Sequence, residues 1–85
     1  MQIILNIPPY SPEKGIEVQW ESGFEITVRN NENGVYLIAN KEGLVSLAIQ
    51  LLTLAQSEIP SGRHIHYDEY NSLEDGSCNL IIEKK

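Results

Sequence analysis

Apolar and polar residues alternate along the first third of the chain with the two-residue period of a β-strand. Ile16, Val18 and Trp20 fall on one face with Glu17, Gln19 and Glu21 on the other, and Phe24, Ile26 and Val28 repeat the pattern against Glu25, Thr27 and Arg29. A Ser22-Gly23 loop would set Trp20 opposite Glu25 and mix apolar with charged side chains on one face. A longer Glu21-Ser22-Gly23 loop instead pairs Trp20 with Phe24, Val18 with Ile26 and Ile16 with Val28, and gives the glycine the left-handed position such loops need. Ahead of this hairpin, Gln2 to Ile7 reads as a short strand ended by Pro8-Pro9, with a loop from Pro8 to Lys14. Beyond it, Asn30 to Gly34 make a turn. Val35 to Ala39 comes next, apolar on both faces, and reads as a central strand.

The period then changes. Asn40 is a candidate N-cap, and Leu44, Leu47, Ala48, Leu51, Leu52 and Ala55 recur at helical spacing, which predicts a helix over 41–57. Its polar stripe, Ser46, Gln50, Thr53 and Ser57, is narrow, and Val45, Ile49 and Leu54 widen the apolar sector beyond what one small sheet covers. The helix is therefore either deeply embraced or in contact with another chain, as in a homodimer. Pro60-Ser61-Gly62 breaks the chain, and His64–Glu69 and Cys78–Glu83 read as two further strands around a 71–77 loop. The order β-β-β-β-α-β-β predicts an α+β fold in two layers, a mostly antiparallel sheet of five or six strands with one helix on a face. At 85 residues the chain has room for a single domain, 1–85.

Charge narrows the classes of partner. Six basic against 12 acidic residues leave a net charge of −6, which opposes binding to nucleic acid or an anionic membrane and favours a basic protein. A lone cysteine, Cys78, makes no internal disulfide, and neither a basic leader nor a membrane-length apolar run is present, so a cytoplasmic location is expected. Cys78 opens an Ile/Leu-rich strand and reads as a small buried hydrophobe rather than as a nucleophile paired with His64 or His66. The six glycines are scattered through turns, with no phosphate-binding loop among them.

His64, His66 and Asp68 stand at alternate positions of a predicted strand, so all three project from one face. Two imidazoles and a carboxylate are ligands for zinc or ferrous iron. The same pattern also arises on any solvated strand face, and the H-x-H-x-D string departs from that of the metallo-β-lactamase-like hydrolases because Glu69 stands where their motif continues with histidine. No cofactor is expected on the leading reading. Acidic side chains offer the other candidate site: Glu17, Glu21 and Glu25 on the first hairpin, and Glu69, Glu74 and Asp75 around the last long loop. Such patches on an acidic protein suit docking to a basic partner, where opposite charge speeds association.

Two stretches taken together point to a family. Asn40-Lys41-Glu42-Gly43-Leu44-Val45-Ser46-Leu47-Ala48, running on to Leu51-Leu52-Thr53-Leu54-Ala55, and Gly62-Arg63-His64-Ile65-His66-Tyr67-Asp68-Glu69-Tyr70-Asn71-Ser72-Leu73-Glu74-Asp75-Gly76-Ser77 with Leu80-Ile81-Ile82-Glu83 after it, resemble the immunity protein 32 family. With the Trp20 hairpin, the resemblance runs from about residue 16 onward. It implies a small bacterial cytoplasmic protein that binds and neutralises a toxin of a polymorphic toxin system without catalysis of its own. The family supplies no residue-level binding site. Charge then implies a basic toxin domain, with the 69–75 loop, which can protrude into a cleft, as the favoured anchor. The alternative is a small metal-binding protein or enzyme built on His64, His66 and Asp68, and a third reading is a structural subunit that self-associates through its apolar helix.

Overall fold

The computed structural model describes residues 1–85. The chain is α+β, with strands β1 (Ile26–Asn31) and β2 (Gly34–Ala39), helix α1 (Lys41–Leu54), and strands β3 (His64–Tyr67) and β4 (Leu80–Glu83). The strands form two separate antiparallel pairs, β1 with β2 and β3 with β4, and not one sheet of five or six strands. Ile26, Val28, Leu47, Leu54, Ile59, Ile65, Tyr67 and Leu73 make one buried cluster, against which Trp20, Phe24, Leu80 and Ile82 pack.

Hydrogen-bond competition at β1 explains the missing strands. The edge of β1 that the alternation assigns to Ile16–Trp20 is taken by the 74–78 segment. Glu74 N donates to Ile26 O at 2.9 Å, Cys78 N donates to Val28 O at 2.9 Å, and Val28 N donates to the Ser77 hydroxyl at 3.1 Å. Val18 and Ile16 therefore have no ladder opposite Ile26 and Val28. Trp20 and Phe24 do come together, stacked with centroids 4.2 Å apart, across a turn in which Phe24 N reaches Glu21 O and Gly23 has φ +83°. Residues 2–7 likewise find no partner strand, and Ile3 and Ile4 are exposed.

The displaced 8–25 segment lies along the helix, and its backbone polar groups need partners. α1 supplies them from the stripe that its periodicity places toward solvent. Ser46 Oγ accepts from Glu21 N at 2.8 Å, Gln50 Nε2 donates to Gln19 O at 2.8 Å, and beyond the helix Gln56 Nε2 donates to Pro8 O while its Oε1 accepts from Tyr10 N. Ser46, Gln50 and Thr53 are accordingly buried, whereas Leu44, Leu51 and Leu52 are exposed. Leu47 and Leu54 alone of the helix's apolar positions join the core cluster. The helix is thus turned so that Ser46, Gln50 and Thr53 go inward beside Leu47, Ile49 and Leu54, and Leu44, Leu51 and Leu52 of the predicted apolar stripe go outward.

Asn40 is the N-cap as expected. Its Oδ1 accepts from Gly43 N at 2.8 Å and from Glu25 N at 3.0 Å, and its Nδ2 donates to Gly23 O, so one side chain starts the helix and fastens the Trp20 turn to it. α1 ends at Leu54 instead of residue 57, with Gln56 folding back to donate to Thr53 O. β2 is not central: it has one neighbour, and Val35, Tyr36, Leu37 and Ile38 are all exposed. β3 ends at Tyr67 and β4 begins at Leu80, leaving Cys78 outside the strand and exposed rather than buried. No helix is long and apolar enough to cross a membrane.

Candidate functional site

β3 alternates as its sequence requires. Ile65 and Tyr67 enter the core and His64 and His66 face out. Tyr67 fixes this orientation, because its hydroxyl donates to Gln50 Oε1 at 2.7 Å inside the core and its ring meets Trp20 edge-on. Burial pushes the Tyr67 hydroxyl from 10.0 up to about 12. The folded state therefore keeps its proton to higher pH than the unfolded chain. Stability is unaffected by this group below pH 10 and is lost as pH rises from about 10 to about 12, by roughly 2–3 kcal/mol in total. Urea unfolding across this range should show the loss in the wild type and not in Tyr67→Phe; an equal loss in both would assign it elsewhere.

Asp68 ends β3 and organises the turn after it. Its Oδ1 accepts from Tyr70 N at 2.9 Å and from Asn71 N at 3.0 Å, and its carbonyl accepts from Ser72 N and Leu73 N. Asn71 returns the arrangement: Oδ1 accepts from Asp68 N, and Nδ2 donates to His66 O. The D-x-x-N spacing is a recognisable turn signature, and it gives Asp68 a structural task in place of the ligand role that its alternation with the histidines suggests. His66 Nε2 lies 3.9 Å from Asp68 Oδ2, while His64 turns toward Gly62 O. No group of three His, Cys, Asp or Glu side chains is placed to hold a metal ion.

The acidic clusters occupy two places. In the 68–77 loop, Glu69 accepts from Gly76 N at 2.8 Å, which commits part of its carboxylate to closing the loop. Glu74 and Asp75 are exposed, and neither enters an ion pair. Their backbone is held at the β1 edge by Glu74 N, and Leu73 plugs the core beneath them. Glu17, Glu21 and Glu25 do not form one row on a hairpin face. Glu17 lies 3.9 Å from Lys14, and the backbones of Glu21 and Glu25 are pinned to Ser46 and Asn40 at the start of the helix.

Between Trp20 and the Asp68 turn lies a hollow of about 170 Å³, with Val18, Trp20 and Ile65 as its apolar wall and His66, Asn71 and Ser72 on its polar side. The sequence does not announce it, because Trp20 and Asn71 are 51 positions apart and meet only through the packing of Trp20 on Tyr67. Its volume suits one side chain of a partner. A larger open depression of about 330 Å³ lies among Tyr10, Ile16, Arg63 and His64.

The chain is a small α+β protein whose clustered acidic side chains and both histidines stand on exposed or half-exposed turns and strand faces, with Tyr67 buried, beside a side-chain-sized hollow. The model of the immunity protein 32 family matches residues 34–85, from β2 to the last residue, and the chain belongs to that family. The match begins at Gly34 and not near residue 16, so the Trp20 turn and β1 lie outside it. No curated protein and no solved structure matches the chain.

Proposed function

We propose that this protein is a cytoplasmic, single-domain immunity protein that neutralises a bacterial toxin by binding it, without catalysis of its own. Membership of the immunity protein 32 family is the observation that carries this reading. The net charge of −6 favours a basic toxin domain. Glu74 and Asp75 supply the free carboxylates, held on a backbone that Asp68, Asn71 and the β1 edge order beforehand, so little entropy is lost when they engage. Glu69 serves mainly to shape the loop, and the neighbouring hollow beside Trp20 receives an apolar or aromatic side chain of the toxin. Glu17, Glu21 and Glu25 act as steering charges rather than as anchors.

Titration against a candidate toxin domain, sought in the product of the neighbouring reading frame, tests the proposal. Affinity should fall with added salt, mainly through a slower on-rate. The Glu74→Ala/Asp75→Ala double variant should bind about tenfold or more weakly with a flatter salt dependence, and the Glu17, Glu21 and Glu25 variants should lose less. Salt-independent affinity, or full protection by a variant lacking both clusters, would overturn it.

A further inference from the structure

Two segments far apart in sequence, 10–16 and 62–64, meet around the larger depression of about 330 Å³. One wall is Tyr10 with the tight turn from Ser11 to Gly15, in which Gly15 N donates to Ser11 O at 2.7 Å. The other is Gly62, Arg63 and His64, locked to the residue after β4 because Gly62 N donates to Lys84 O and Lys84 N donates to Arg63 O, both at 2.8 Å. Gln56 ties the walls together: its Oε1 accepts from Tyr10 N at 3.1 Å and its carbonyl accepts from the Lys84 ammonium. Three of the six basic residues, Lys14, Arg63 and Lys84, lie in these segments, and they are not equivalent. Lys14 stands 3.9 Å from Glu17 and Lys84 is spent on Gln56, whereas the exposed Arg63 guanidinium makes neither an ion pair nor a hydrogen bond. Glu13 and Glu17 flank one wall in sequence and Glu83 is the register partner of His64, yet no carboxylate lines the depression.

We propose that this depression binds an organic carboxylate, held by the paired N–H groups of the Arg63 guanidinium, with Tyr10, Pro12 and Ile16 packing on the group that carries it. A guanidinium fork meets a carboxylate through two parallel hydrogen bonds, and Arg63 has its donors free for them. Charge selects a carboxylate over a phosphate. One uncommitted cation balances one negative charge, whereas a phosphate monoester brings about −1.5 to −2 to a chain already at −6. Size points the same way, because a bare inorganic anion fills little of 330 Å³ and leaves Tyr10, Pro12 and Ile16 without a contact. His64 closes the rim, its Nδ1 turned 3.4 Å from Gly62 O. The net negative charge does not forbid the site: exposed charges beyond about 8 Å are largely screened at physiological salt, and Arg63 acts at contact. A free small carboxylate and an acidic side chain of a protein partner both carry this group, and the site stands whether or not the chain neutralises a toxin.

Chemical-shift titration of the free protein with benzoate, at an ionic strength held constant with chloride, tests the proposal. Saturable shifts should centre on the amides of Tyr10, Ile16, Arg63 and His64. Benzamide, which keeps the ring without the charge, and inorganic phosphate should each bind about tenfold or more weakly, and Arg63→Gln should weaken benzoate binding to the same extent with unchanged circular dichroism. Absence of saturable shifts, equal binding of benzamide or phosphate, or benzoate binding that survives Arg63→Gln or is undiminished in Arg63→Lys would overturn the proposal. A candidate toxin domain then separates the two sources of the carboxylate. Displacement of benzoate by the toxin, with weaker toxin binding by Arg63→Gln, assigns the site to an acidic side chain of the toxin, and benzoate binding undisturbed by the toxin assigns it to a free carboxylate; either assignment upholds the site.

Discussion

Gln50→Leu should lower the stability of the protein by about 3 kcal/mol, although leucine is the better match to the helix's hydrophobic pattern. Gln50 is fully buried, with its Oε1 accepting from the Tyr67 hydroxyl and its Nε2 donating to Gln19 O. Leucine satisfies neither. A buried polar group that loses its partner costs about 1–3 kcal/mol, and here two groups are stranded, one a phenol at 1% exposure. The reciprocal change on the outer stripe, Leu51→Gln, should fall within about 0.5 kcal/mol of neutral because that side chain already stands half in solvent. Urea denaturation of the two variants checks the order. A larger loss for Leu51→Gln than for Gln50→Leu would mean that the helix sits on its apolar stripe after all.

Gly43→Ala should also destabilise, by about 2–3 kcal/mol, where helix propensity alone predicts a gain near 1 kcal/mol. A Cβ on Gly43 would lie 2.7 Å from Glu25 O, 2.9 Å from Ile26 Cγ1 and 3.1 Å from the Ala39 Cβ. The nearest of these is backbone, and it already accepts from Asn40 N, so it cannot withdraw without loosening the cap and the end of the β1–β2 ladder. The first turn of the helix must therefore lift off β1. Thermal or urea unfolding measures the cost. A neutral or stabilising result would show that the helix start has slack against the hairpin.

These two positions mark where reading the chain by pattern succeeds and where it stops. Local signals are legible: Asn40 as the cap, Gly23 in the left-handed turn, the approach of Trp20 to Phe24, the outward faces of His64 and His66, and the N-x-x-G-L and H-x-H-x-D stretches of the family match. Each depends on a handful of neighbouring residues and on backbone preferences that act at short range. The acidic residues and their excess are equally visible, and charge sign needs no fold to be counted.

Periodicity does not convey which strand edge each segment will win. Ile16–Trp20 and the 74–78 segment both compete for the outer edge of β1, and the later one holds it because Leu73 is buried beneath it and Ser77 offers a hydroxyl to Val28 N. Once that edge is filled, residues 8–25 run as irregular chain whose amides and carbonyls must be satisfied from the helix, and Ser46, Gln50 and Gln56 do so. Hydrogen-bond demand then outweighs the burial of Leu44, Leu51 and Leu52, which stay exposed while Leu47 keeps its place in the core, and β2 has β1 as its one neighbour. Short-range pattern was enough for the helix and its cap, the Trp20 turn, the charge and the family. Which face of the helix is inside, and which strand edge is left unpaired, was settled only in the folded chain, because both depend on backbone groups far apart in sequence finding partners at the same time.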